Sequence, residues 1–454
     1  MTAEHSGTFP LVPHDEIQVT LTTVFREEAG RIVGALLRIL GNFEVAEEIV
    51  QDALLVALER WPVDGIPAQP GAWLLTVARR RAIDQLRRNA RYRDKLAELE
   101  HSAVQEPDDR LRLMFTCCHP ALSREAQVIL TLRAVCGFTT TEIAHAFLAS
   151  EAAVARRLVR ARQKIVQAGI PYRVPRDEDL DERLGEVLAV LYLMFNEGYL
   201  TSGGSTPMRR DLAEDAAWLA AFLTGLYPRE PEVLGLLALM RLHLARTDAR
   251  FDATGSLILL AEQDRSRWNR RMITEAGGRI EQAAALGRPG PYQVQAALVA
   301  CHAEAESWQA TDWPQILALY DLLLSMTPSP VVRLNRAVAV RYVAGPEEAL
   351  AEVEALAHDL EEYHLFHAIR GELLLELGRR EQAQAAELRA LALTDNQAEQ
   401  SLLHQRLSPE GAGSCTCPGT ADRARKRTKS SNQGEISKSE SPSSEGCRGN
   451  RGSD

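Results

Sequence analysis

The stretch PGAWLLTVARRRAIDQLRR, Pro70 to Arg88, constrains this chain most. It opens with a Pro-Gly suited to a helix start, and Trp73, Leu74, Val77, Ala78, Ile83 and Leu86 then recur at gaps that keep one face inward. The other face is basic. Arg79, Arg80, Arg81, Arg87, Arg88, Arg91, Arg93 and Lys95 are opposed only by Asp84 and Asp94, in a chain of net charge −10. A fixed basic surface on a packed helix suits a phosphate backbone, because neutralising phosphates releases counterions. Charge alone fits a solvated helix face equally well.

The preceding segment, Gly41 to Trp61, reads as another helix. Gly41 stops the helix before it, and Asn42 caps the new one. Ala46, Val50, Ala53 and Ala57 form its seam, while Glu47, Glu48, Gln51 and Asp52 project elsewhere. From Leu122 the chain reads as three short helices. Ser123 caps the first, Thr140 or Thr141 caps TEIAHAF, Ser150 caps the last, and Gly137 ends the second. In the last helix Val154, Leu158, Ala161 and Ile165 share a face. Arg156, Arg157, Arg160, Arg162 and Lys164 take the rest, with Ala153 near its start. A helix packed by one stripe and basic elsewhere is what insertion into a major groove requires.

AWLLTVARRRAIDQLRR resembles the segment that recognises and melts the −10 promoter element in extracytoplasmic-function (ECF) sigma factors, and Ala46 to Ala53 resembles the polymerase-binding motif before it. The helix-turn-helix after Leu122 resembles the −35-reading region of the same family. The chain departs from the family pattern at Val45, Leu54, Arg80 and Leu148. The resemblance implies core RNA polymerase and promoter DNA as partners, with Glu47, Glu48, Gln51 and Asp52 as polymerase contacts. It places −10 recognition on Trp73, Arg79, Arg80, Arg81, Asp84, Arg87 and Arg88, with the loop Pro62 to Gln69 beside them. It places −35 recognition on Ala153, Arg156, Arg157, Arg160, Arg162 and Lys164. Single-stranded −10 bases would be flipped and stacked, their phosphates held by arginines. A helix-turn-helix regulator acting without polymerase is the alternative, and such a regulator has no use for the Gln51-Asp52 helix.

Most such sigma factors end near Gly169, whereas this chain continues past Pro171 and Pro175. Its next block is similar to that of an ECF group with long C-terminal extensions, through Phe195-Asn196-Glu197-Gly198-Tyr199 and Asp264-Arg265-Ser266-Arg267-Trp268. Asn196, Glu197, Asp264 and Arg267 either line a ligand pocket or fix helix packing. If they line a pocket, the block is a small-molecule sensor or an enzyme, with the sigma part as its output. Further on, Ala337 and Gly371, like Ala349 and Ala383, are spaced 34 apart, the period of tetratricopeptide (TPR) repeats, with a looser unit from Val294 to Pro328. The concave face of such an array binds a protein or peptide, unless the array only packs on its own sigma domains.

The expected fold is all-α. Sigma region 2, a helical bundle, spans 15–95; a linker 96–118; sigma region 4, the helix-turn-helix, 119–169; a helical extension block 177–285; TPR-like repeats 290–405; and a disordered tail 406–454. The linker turns acidic at Glu98, Glu100, Glu106, Asp108 and Asp109, and in the resembled family it threads near the polymerase active site. Polar serines and basic residues dominate the tail, with Ile436 as its one large aliphatic, so it cannot bury a core. No nucleophile–base pair, phosphate loop or metal-ligand spacing stands out, so no enzyme, cofactor or metal is expected. Cys117-Cys118-His119 lacks zinc spacing and reads as buried core cysteine. No apolar run reaches the length that spans a bilayer and no signal peptide opens the chain, so the protein is expected to stay in the cytoplasm, off membranes.

Overall fold

The computed structural model describes residues 14–88, 109–147, 149–175, 177–199, 210–252, 256–394 and 396–407. Two compact units divide at residues 404 and 405. Everything below concerns the first, which is all-α, with an isolated antiparallel bridge from Phe251 to Leu257. The tail beyond 407, the linker 89–108 and Leu148 lie outside the described residues.

Three helices build the N-terminal bundle: α1 (His14–Leu40), α2 (Phe43–Asp64) and α3 (Pro70–Arg88). Gly41 at φ 67° ends α1, and the Asn42 side chain accepts from the Glu44 and Val45 amides, a cap of about 1 kcal/mol. The seam Ala46, Val50, Ala53 and Ala57 is buried, and Trp61 closes the bottom at 1% exposure against the edge of Trp73, 5.6 Å away.

Next comes α4 (Asp109–Cys117), a helix inside the segment expected to be a linker. Leu111, Leu113, Met114 and Phe115 are buried, so this stretch is core. The acidic run before it masks the short apolar stripe in sequence. Gly34 makes this packing possible, because a Cβ there would lie 2.8 Å from the Asp109 carbonyl oxygen. The helix-turn-helix follows as α5 (Arg124–Ala134), α6 (Thr140–Ala146) and α7 (Glu151–Gln167). Ser123 and Ser150 cap α5 and α7 as expected. The cap of α6 is Thr139, not Thr140 or Thr141, because Glu142 three residues on closes a reciprocal capping box with it. Gly137 (φ 73°) follows α5 rather than ending a second helix, and its bare Cα lets Ala29 and Phe25 of α1 approach.

The extension continues the same core. One cluster of buried apolar side chains, reaching from Ile17 to Leu244, joins the N-terminal bundle, the helix-turn-helix, α8 (Asp177–Tyr199), α9 (Arg210–Leu226) and one side of α10 (Pro231–Leu244). Arg183 of α8 donates to the Phe115 carbonyl, and Arg124 of α5 pairs with Glu186 at 2.8 Å. The Arg110 guanidinium lies 4.9 Å from the Phe222 ring of α9. In the connecting segment, the Tyr172 hydroxyl donates to the Gly34 and Asp109 carbonyls, at 2.8 and 2.9 Å.

After α11 (Arg270–Ala285), the chain runs in helix pairs: α12 (Pro291–Glu304) with α13 (Trp313–Met326), and α14 (Pro330–Val343) with α15 (Pro346–Glu354). The short α16 (Ala357–Leu360) leads to the pair α17 (His364–Glu376) and α18 (Arg380–Leu393), and α19 (Gln397–Leu407) follows. The small residues Ala337, Ala349, Gly371 and Ala383 are all buried. At Gly371 a Cβ would come within 3.3 Å of the Ala383 carbonyl oxygen, so the pair α17–α18 needs a small residue there. No described helix is long and apolar enough to cross a membrane.

Candidate nucleic-acid and polymerase interface

The four residues singled out on α2 separate into two kinds. Glu48 and Gln51 are exposed. Glu47 is not: its side chain is 16% exposed and its carboxylate bonds Arg162 of α7 at 2.5 Å, with Arg133 of α5 at 3.7 Å. Asp52 is half-exposed and pairs with Arg81 of α3. Sequence reasoning put Glu47 and Arg162 on two separate macromolecular surfaces; the fold brings them together. One turn of helix brings Glu47 round to the side of α2 facing the helix-turn-helix, a direction that depends on how two regions pack and that no local pattern encodes. A second link runs parallel to it, Arg26 of α1 to Glu142 of α6 at 2.6 Å. Beside these links lies a cavity of about 450 Å³ lined by Phe25, Val50, Leu54, Arg133, Thr139 and Glu142.

On α3, Arg79, Arg80 and Asp84 are exposed, and Arg81 is held by Asp52. Trp73 sits half-buried on Trp61 and so serves the packing of α2 on α3. The side chains of Arg87 and Arg88 lie outside the described residues. On α7 the seam Val154, Leu158, Ala161 and Ile165 is buried as expected. Arg156, Arg160 and Lys164 stand exposed in a row, Ala153 is half-buried beside them, and Arg157 reaches Glu125 of α5 at 3.1 Å.

The cysteines 117, 118 and 136 are buried. Burial pushes all three thiols up, that of Cys118 to about 12. No group of three or more metal-ligating side chains occurs among the described residues. In the extension, Asp264 and Arg267 are exposed, and Asp264 only caps its own turn by accepting from Ser266. The same motif turns Arg265 and Trp268 inward, and these were missed because a charged residue beside an aromatic reads as surface.

Residues 24–92 match Sigma-70 region 2, and residues 112–165 match Sigma-70 region 4. The second match includes most of α4, the helix read from sequence as linker. The ECF RNA polymerase sigma factor SigL of Mycobacterium tuberculosis (strain ATCC 25618 / H37Rv) is 32% identical over 158 residues, which cover 32% of this chain and 89% of SigL. The chain belongs to the ECF sigma factors. Sigma factors are initiation factors without enzymatic activity, and the family implies core RNA polymerase and promoter DNA as partners. Residues 183–284 match a family of unknown function (DUF6596). Uncharacterized protein R00370 of Rhizobium meliloti (strain 1021) is 45% identical over 389 residues, 83% of this chain and 92% of that protein, so this sigma factor shares its extension with a relative. No solved structure matches the chain.

Proposed function

We propose that this sigma factor docks on core polymerase through the outward face of α2, opens the −10 element with α3 and the loop before it, and reads the −35 element with α7. One observation carries the reading. The acidic and amide groups left exposed on α2 (Glu48, Gln51) and the arginines left exposed on α3 (Arg79, Arg80) and α7 (Arg156, Arg160) face solvent, while the seams of the same helices are filled by core. Exposed cations on a rigid helix hold phosphates and base edges without paying to break internal pairs. Glu47 and Arg162 are internally paired, so their contribution is to hold the two regions together before polymerase separates them.

The extension has a required, positive role in this reading. Its first helices share the core of the sigma regions, and the charged contacts Arg183–Phe115 and Arg124–Glu186 tie it to the helix-turn-helix. The helix pairs from Pro291 onward form a TPR-like array, whose concave face would take a protein or peptide partner. Run-off transcription with purified core polymerase tests both parts. Full-length protein should initiate at a cognate promoter, Glu48→Gln with Gln51→Ala should abolish that activity while leaving helical content intact, and a chain ending at Gly169 should be impaired. Normal transcription by the double variant rejects the docking face, and full activity of the short chain rejects the role of the extension.

A further inference from the structure

Inside the extension, where α8, α10, the turn 265–267 and the end of α12 meet, positive charge is buried among neutral partners. Arg246 and Arg250 are 8% and 5% exposed. The Arg250 guanidinium lies 3.8 Å from the centre of the Tyr199 ring, and Nη1 donates to the Tyr199 carbonyl at 2.8 Å. Arg246 Nη2 donates to His243 Nδ1 at 3.0 Å and to the Tyr199 hydroxyl at 3.4 Å. Arg265 Nη1 donates to the carbonyls of His302 and Ala305, at 2.5 and 2.7 Å. Arg265 and Arg246 flank one indole, their guanidinium carbons 4.6 and 5.9 Å from the Trp268 ring centre. Arg270, exposed at the start of α11, donates to the Ala303 carbonyl at the edge of this set.

Every one of these partners is uncharged. Among the described residues, no carboxylate forms an ion pair with Arg246, Arg250, Arg265 or Arg270, and Asp248 and Asp264 lie at the exposed surface. Among the described residues, three buried N–H groups at this indole have no hydrogen-bond partner: Arg246 Nε, Arg265 Nη2 and Trp268 Nε1. The positive field is felt locally. Burial holds the His243 imidazole well below its usual range and His302 at about 4, with Arg246 adding to both. Buried guanidinium groups without a counter-charge are costly, and a protein tolerates them where an anion completes the set.

We propose that this arginine–tryptophan cluster binds a small oxyanion, specifically the phosphoryl group of a phosphate-bearing ligand, through Arg246, Arg265 and the Trp268 N–H. The donors come from two chain segments, Arg246 after α10 and the turn that carries Arg265 and Trp268, and from three separate side chains, which matches an oxyanion accepting from several directions better than a planar carboxylate held by one guanidinium fork. All three side chains fall within the block that matches the family of unknown function, so the site would supply that block with a ligand-binding role.

Inorganic phosphate is the probe, added to full-length protein at ionic strength matched with chloride, with acetate as the carboxylate arm. Titration calorimetry should show saturable phosphate binding, and the melting temperature should rise with phosphate and not with acetate. Trp268→Phe keeps an aromatic face and removes the N–H; Arg265→Gln removes a charge that is only partly buried. Each should weaken phosphate about tenfold or more while keeping a cooperative unfolding transition and wild-type helical content in chloride. Absence of saturable phosphate binding overturns the proposal, as does unchanged affinity in both variants. Acetate binding as tightly as phosphate overturns the phosphoryl assignment.

Discussion

Removing the charge of Glu47 should open the molecule. Glu47 sits 2.5 Å from Arg162 and 3.7 Å from Arg133, with the three side chains 16%, 13% and 18% exposed. At an effective dielectric of about 20, the shorter contact alone carries roughly 6–7 kcal/mol of Coulomb attraction. Desolvating the three groups offsets most of that, leaving a net coupling of about 1–3 kcal/mol. A loss of about 2 kcal/mol corresponds to a ~30-fold shift toward the state in which α7 leaves α2. Glu59 of α2 and Gln163 of α7 are both exposed, so spin labels placed there by orthogonal chemistry would report the separation without disturbing the contact. Glu47→Gln should add a population of long distances, Arg162→Gln should do the same, and the two together should add little more than either alone. The reversed pair, Glu47→Arg with Arg162→Glu, should restore much of the short distance. A distance distribution unchanged in Glu47→Gln would show that apolar packing at Gly137 and Phe25, not this ion pair, holds the regions together.

Three further outcomes follow from the geometry. Alanine at Arg156 or Arg160 should cost about 1–3 kcal/mol of discrimination at the −35 element. Arg157→Ala, which mainly frees Glu125, should weaken all promoters alike; promoter scanning separates the two patterns. His302 is kept neutral when folded, with its titration at about 4 against the ordinary 6.5. The unfolded chain therefore binds more protons between those values, so stability holds above about pH 6.5 and falls as pH drops toward 4. Thermal unfolding of wild type and His302→Gln at pH 7 and pH 5 should show a smaller acid loss in the variant. Finally, Cys117, Cys118 and Cys136 should resist alkylation at pH 8 until the protein unfolds, because the thiolate is the reactive form and burial raises all three; mass mapping of labelled peptides checks this.

What the sequence determined by itself is local. The Asn42 and Ser150 caps, the alanine seam of α2, the apolar stripe of α7 and the 34-residue spacing of small residues are all written in short-range pattern, because helix periodicity and capping act within a few residues. The same holds for the resemblance that named the family, since it rests on contiguous motifs. The shift of a cap from Thr140 to Thr139 was decided by one glutamate side chain three residues on, at the limit of that range. Tertiary structure decided the rest. Whether an acidic or basic side chain is free for a partner depends on what packs opposite it, and so Glu47 and Arg162 became an internal pair while Glu48 and Arg160 stayed exposed. The helix Asp109–Cys117 gained its stability from the close pass of Gly34, more than seventy residues upstream. Arg246 meets Arg265 and Trp268 only because the turn 265–267 folds back on the end of α10, bringing two charges separated in sequence to one indole where their partners are neutral.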